Sequence, residues 1–162
     1  MTLSVGDRLP GVKMLNQIGS EVSEIDIAQR IAGKKCVVFG LPGAYTGVCS
    51  SAHLPSFIRT ADAFRAKGVD EIICVAVNDV RVMNHWGRTS GAEEAGILML
   101  ADWDSEFARG VGLAFSAHAI GFKDRLTRFA ALVDDGVVSI LNFEEDHGVC
   151  ELTAGETLLE AI

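Results

Sequence analysis

No apolar run in the sequence approaches the roughly 18 residues that a membrane span requires. The start, Met1-Thr2-Leu3-Ser4-Val5-Gly6-Asp7, has neither a basic leader nor an apolar stretch of signal length. A soluble, cytoplasmic protein is therefore expected. There is no cluster of Lys or Arg, and 14 basic against 22 acidic residues leave a formal charge of −8. That balance argues against nucleic acid or an anionic membrane surface as a partner. None of the four cysteines (36, 49, 74 and 150) stands in C-x-x-C spacing. This excludes a zinc ribbon and a thioredoxin-type dithiol motif, and in a reducing compartment the set is not a disulfide framework. His85, His118 and His147 are scattered without metal-ligand spacing, so no metal site is expected.

The three prolines (10, 42 and 55) mark no linker, and there is no internal repeat or low-complexity segment. What remains is 162 residues, 49% hydrophobic and 22% charged, which is ordinary globular composition. A single domain over 1–162 is expected. A mean hydropathy of +0.28 hints at an apolar patch covered in an oligomer.

Short apolar runs bounded by turn residues mark buried strands at 37–41, 72–77 and 97–100. Phe129 to Val133 and Val137 to Leu141 flank Asp134-Asp135-Gly136, a strong hairpin signal. Leu54, Phe57, Ile58, Ala61 and Phe64 share one face of a helix that stops near Lys67-Gly68. Further helices are expected at about 23–32, 79–88, 103–109 and 152–161. The alternation predicts an α/β fold, a mixed central sheet with helices on both faces.

The segment Gly40 to Pro55 is the chemically informative one. A strand ends, a loop Pro42-Gly43-Ala44-Tyr45-Thr46-Gly47-Val48 follows, and a helix begins around Cys49. A first-turn cysteine meets unpaired backbone N–H groups and the positive end of the helix dipole, which favour a thiolate. The same position also suits a small apolar filler. An ordinary thiol is a few per cent ionised at pH 7, so complete ionisation gains about 30-fold at most. A useful nucleophile also needs groups that hold the electrophile and stabilise the departing charge. Thr46, three residues ahead, can turn a hydroxyl toward the sulfur, and Pro42 can stiffen and shield the loop.

Pro42-x-x-x-Thr46-x-x-Cys49 resembles the active-site motif of the peroxiredoxin family. The flanking Phe39-Gly40-Leu41 and His53-Leu54-Pro55 are similar to its atypical two-cysteine branch, type five or type II. The likeness continues at Lys67 to Asp79, at Trp86-Gly87-Arg88, Leu100-Ala101-Asp102 and Arg125 to Ala130, and at Asn142-Phe143-Glu144. It thus covers almost the whole chain, while the stretch from Ser116 to Lys123 matches poorly. The resemblance implies a thioredoxin-like fold and a homodimer built around the active-site loops, with no cofactor, whether metal, haem or flavin. It implies a thiol peroxidase that reduces hydrogen peroxide and alkyl hydroperoxides, with thioredoxin or glutaredoxin/glutathione as reductant. Cys49 would be the peroxidatic thiol, Thr46 the hydroxyl on the bound peroxide, Arg128 the active-site guanidinium and Pro42 the shield. Tyr45 stands where the family often has Phe, and Gly47-Val48 where it often has Pro-Thr or Pro-Gly.

Two thiols compete to resolve the sulfenic acid formed on Cys49. Cys150 lies in a polar, Gly-containing loop, where the animal branch carries its resolving cysteine. Cys74 lies where plant type II relatives carry a second one, but in mid-strand, flanked by Ile73 and Val75. A loop moves more cheaply than a strand, which favours Cys150 over Cys74. Direct attack by an external thiol is the third course. Cys36 is expected to pack in the core, His53 to be solvated, Trp86 and Trp103 to sit in core or interface, and Glu144-Glu145-Asp146 to form a solvated turn. Arg125 is undecided between a strand-end charge and a site residue. A protein disulfide exchanger and a peroxide sensor or redox relay without high turnover are the alternative functions.

Overall fold

The computed structural model describes residues 2–162. Its strands and helices run in the order β1 (Lys13–Ile18), β2 (Glu21–Asp26), α1 (Ile27–Ile31), β3 (Lys35–Leu41), α2 (Leu54–Ala66), β4 (Glu71–Ala76), α3 (Val80–Ser90), β5 (Ile97–Ala101), α4 (Glu106–Gly110), β6 (Ala114–Ala117), β7 (Phe122–Leu126), β8 (Phe129–Asp134), β9 (Val137–Phe143) and α5 (Gly155–Glu160). Seven strands form one sheet in the order β2-β1-β5-β4-β3-β8-β9, and β6 pairs with β7 in a separate ribbon. β3, β4 and β5 are parallel, while β8 runs antiparallel to β3 and β9 to β8. This is the expected α/β architecture, a mixed central sheet with helices on both faces. Among the described residues no helix is long and apolar enough to cross a membrane.

Parallel strands must be covered on both faces, and β3 shows how. Val37, Phe39 and Leu41 pack with α2, α3 and Leu158 of α5, whereas Cys36 and Val38 pack with α1 and Phe107 of α4. The period-two alternation of one apolar strand therefore feeds two cores. α5 can lie close on α2 because Gly155 has no side chain: a Cβ there would press on Thr60 and the Ser56 backbone.

Two expectations need correction. Residues 23–32 are not one helix, since Glu21–Asp26 form edge strand β2 and only Ile27–Ile31 are helical. β2 is almost wholly exposed and pairs along one side, so it carries no burial period. The Asp26 side chain, accepting from the Gln29 amide, sets the switch to helix. The stretch from Cys49 to His53 is wound as a π-turn rather than as the first turn of an α-helix. Of the two Trp residues expected in core or interface, Trp86 is in the core and Trp103 is 60% exposed on the surface.

The antiparallel pairing of β8 with β3 places Phe129 opposite Gly40. The residue before β8, Arg128, thereby reaches the carboxyl end of β3, where the Cys49 loop begins. A Cβ on Gly40 would fall inside contact distance of the fully buried Phe129 and Leu126. Gly40→Ala is expected to lower unfolding free energy by about 1–3 kcal/mol through overpacking, measured by urea denaturation.

Candidate active site

The loop after β3 is held by partners distant in sequence. The Pro42 carbonyl accepts from Arg125 Nη1 at 3.0 Å, and the Ala44 amide donates to Asn78 Oδ1 at 2.8 Å. Arg125 itself lies over the Phe122 ring, 4.7 Å from its centroid. It therefore braces the loop. Tyr45 takes a left-handed backbone (φ 61°) and is 53% exposed. Its hydroxyl meets His85 Nδ1 and Thr89 Oγ1 on α3.

Thr46 gives its hydroxyl proton to the Gly43 carbonyl at 2.7 Å, which leaves the hydroxyl lone pairs to accept. The Thr46 carbonyl accepts from the Ser50 amide at 3.0 Å, so Cys49 enters the first turn directly behind it. The π-turn that follows is closed by the Leu54 amide on the Cys49 carbonyl. Such turns add a residue to the helical winding and recur at functional sites. Here Cys49 and His53 are both buried.

Arg128 is the largest fully buried side chain, 1% exposed. Its Nη2 donates to Cys49 Sγ at 3.2 Å and to the His147 carbonyl at 3.0 Å. Its Nη1 lies 3.0 Å from His53 Nδ1. Among the described residues its Nε has no hydrogen-bond partner. The guanidinium lies at hydrogen-bond distance from the sulfur, and its unspent N–H is a donor ready for a ligand atom.

The solvated His53 that the sequence implied is instead wholly buried. It stacks edge-on against Phe39 and Phe57, and its Nε2 lies 3.1 Å from the Thr153 carbonyl. A carbonyl only accepts, so Nε2 carries the proton and Nδ1 accepts from Arg128. Burial, then the Arg128 charge, hold His53 well below the ordinary imidazole range. Neutral His53 thus fixes the rotation of the guanidinium. No local signal could have found this pairing, because the partners stand 75 residues apart.

Glu144 is the second residue that sequence reasoning missed. It is 5% exposed, whereas Glu145 and Asp146 are exposed as expected of a turn. Its Oε1 accepts from the Glu151 amide (2.6 Å), the Thr153 amide (3.0 Å) and the Thr153 hydroxyl (3.1 Å). The His147 ring stacks on Phe115 at 3.6 Å.

The other thiols fall where the sequence placed them. Cys36 is buried in β3, its thiol pushed up to about 11 by burial and the nearby Glu71. Cys74 is buried in mid-β4, and burial followed by the proximity of Cys49 pushes it well above the ordinary thiol range. Cys150 is half-buried in the loop before α5, with the Thr153 hydroxyl 3.7 Å from its sulfur. Among the described residues no group of three or more His, Cys, Asp or Glu could hold a metal ion.

A covered thiol at the end of a parallel strand, with a guanidinium on the sulfur, defines a redoxin-type thiol oxidoreductase, and a redoxin family model matches residues 4–159. Peroxiredoxin-2E-2, chloroplastic, of Oryza sativa subsp. japonica is 41% identical, covering 99% of this chain and 73% of that protein. Peroxiredoxin-2D of Arabidopsis thaliana is 35% identical, over 99% and 98%. The crystal structure of reduced Prx3 in complex with H2O2 from Vibrio vulnificus superposes with a TM-score of 0.91 at 40% identity, covering 99% of this chain and 96% of that one. The chain belongs to the peroxiredoxin family and is a thiol peroxidase.

The neutral, buried His53 has a consequence for stability. Its folded-state affinity for protons is depressed, so the unfolded chain binds the proton more tightly. Its contribution is complete above about pH 6.5 and is lost as the pH falls below that value. Urea midpoints of the wild type and His53→Gln between pH 7.5 and 5 test this. The wild type is expected to lose stability more steeply on acidification, by up to about 1.4 kcal/mol per pH unit for a full proton.

Proposed function

We propose that Cys49 is the peroxidatic thiol and that Arg128 and Thr46 hold the peroxide against it. The observation that carries this reading is the division of the Arg128 donors. One nitrogen faces the sulfur, one is fixed by His53, and Nε–H is unspent in a buried site. The Nε–H donor suits the peroxide oxygen that takes on negative charge, and a Thr46 lone pair suits the peroxide proton. Buried Pro42 shields the sulfur from bulk water.

The sulfur attacks the nearer peroxide oxygen, an S–O bond forms and the O–O bond breaks. The departing hydroxide or alkoxide takes a proton and leaves as water or alcohol, and Cys49 is left as a sulfenic acid. The Cys150 thiolate then attacks the sulfenic sulfur. An S–S bond forms, the S–O bond breaks, and the oxygen leaves as water with one further proton. Thioredoxin, or glutaredoxin with glutathione, reduces the disulfide. Cys150 is favoured over Cys74 because reaching Cys74 requires opening β4, which is hydrogen-bonded on both sides. A homodimer fits the exposed Tyr45 and Trp103 near the loop, and a reducing compartment such as the cytoplasm fits four free thiols.

Peroxide consumption coupled to thioredoxin, thioredoxin reductase and NADPH tests the assignment. Cys49→Ser is expected to be inactive, and Cys74→Ser to turn over like the wild type. Cys150→Ser is expected to lose thioredoxin-linked turnover while keeping one round of oxidation. Turnover in Cys49→Ser would overturn the peroxidatic assignment, and unchanged turnover in Cys150→Ser would overturn the resolving one.

A further inference from the structure

We propose that Glu144 is a positioning residue for the resolving step: its carboxylate holds the 144–153 loop closed and thereby sets the rate at which Cys150 reaches oxidised Cys49. The proposal rests on the reading of Cys150 as the resolving thiol. Glu144 touches neither sulfur, and peroxide chemistry at Cys49 makes no use of it. Yet a buried carboxylate oxygen gathers three donors, all from the far end of the loop that carries Cys150. The bonds cross seven and nine residues, so they draw the two ends of the loop together.

The same loop is tied to the peroxide site at both ends. The Glu144 amide donates to the Arg128 carbonyl, Arg128 Nη2 to the His147 carbonyl, and His53 Nε2 to the Thr153 carbonyl. The Thr153 hydroxyl has one proton and two acceptors, Glu144 Oε1 at 3.1 Å and Cys150 Sγ at 3.7 Å. The carboxylate lies nearer and is the stronger acceptor, so the hydroxyl leaves the Cys150 sulfur weakly assisted while the loop is closed. Burial also keeps this thiol in its protonated, unreactive form. Cys150 becomes a competent nucleophile when the loop opens.

When the open form is the minor one, the observed resolution rate is the intrinsic rate multiplied by the open fraction. Hydrogen bonds to a charged acceptor are roughly twice as strong as neutral ones. Replacing the carboxylate by an amide of equal size weakens all three bonds to Oε1. The open fraction rises, resolution speeds up, and the sulfenic acid on Cys49 has less time to meet a second peroxide and become sulfinic acid.

The test uses the reduced full-length protein with stoichiometric hydrogen peroxide. Sulfenic acid is trapped with a carbon nucleophile, and the Cys49–Cys150 disulfide is quantified by peptide mass mapping at quenched times. Glu144→Gln is expected to form sulfenic acid at the wild-type rate, to form the disulfide about tenfold faster, and to yield less sulfinic acid per turnover. Thr153→Val removes one of the three donors and is expected to fall between the two; it keeps the proposal testable should Glu144→Gln not fold. Disulfide formation in both variants at or below the wild-type rate would overturn the role of Glu144. Absence of any Cys49–Cys150 disulfide in the wild type would overturn the resolving assignment beneath it.

Discussion

A guanidinium cannot be buried without spending its donors, and Arg128 spends them on the sulfur of Cys49, the ring of His53 and a carbonyl of the C-terminal loop. Leaving a charged group unpaired in an apolar interior costs several kcal/mol, so the surroundings must be built to receive it. The antiparallel β3–β8 pairing brings Arg128 to the end of β3. The π-turn buries Cys49 and His53 together. The loop from Glu144 to Thr153 folds back to supply the last acceptor. Each of these features is needed for one cation.

The same arrangement separates rigid from movable parts. The loop that carries Thr46 and Cys49 is anchored in the sheet and braced through Arg125, Asn78 and His85. The face that carries Cys150 is a loop fastened by hydrogen bonds and by the stacking of His147 on Phe115. Local opening is cheap where few apolar contacts are lost and costly in a central strand. That contrast is why the proposed resolving thiol is Cys150 on the loop and not Cys74, which is buried between two parallel neighbours.

Much of the fold was legible in the sequence. The apolar runs read at 37–41, 72–77 and 97–100 fall on β3, β4 and β5, and the Asp-Gly turn joins β8 to β9. The motif Pro42, Thr46 and Cys49 was legible because its members are neighbours in one loop. The edge hairpin of β1 and β2 was not, since an exposed strand carries no burial period. His53 and Glu144 were not either. A polar residue reads as solvated until its partners are known, and those partners lie 75 residues away for His53 to Arg128 and up to nine for Glu144 to Thr153. Arg128 was found only through the motif that the chain shares with its family.

The proposed role concerns shape as well as charge: one nitrogen of the planar group faces the Cys49 sulfur, one faces His53, and the third is proposed to meet the peroxide. Arg128→Lys retains the charge and removes that division. The direct measurement is the second-order rate of Cys49 oxidation by hydrogen peroxide in a single turnover, with folding checked by thermal melt. The account predicts a fall of about 10²-fold or more for the folded Lys variant, the scale of losing one donor to a developing anion. A folded Lys variant that oxidises within a few-fold of the wild type would contradict it.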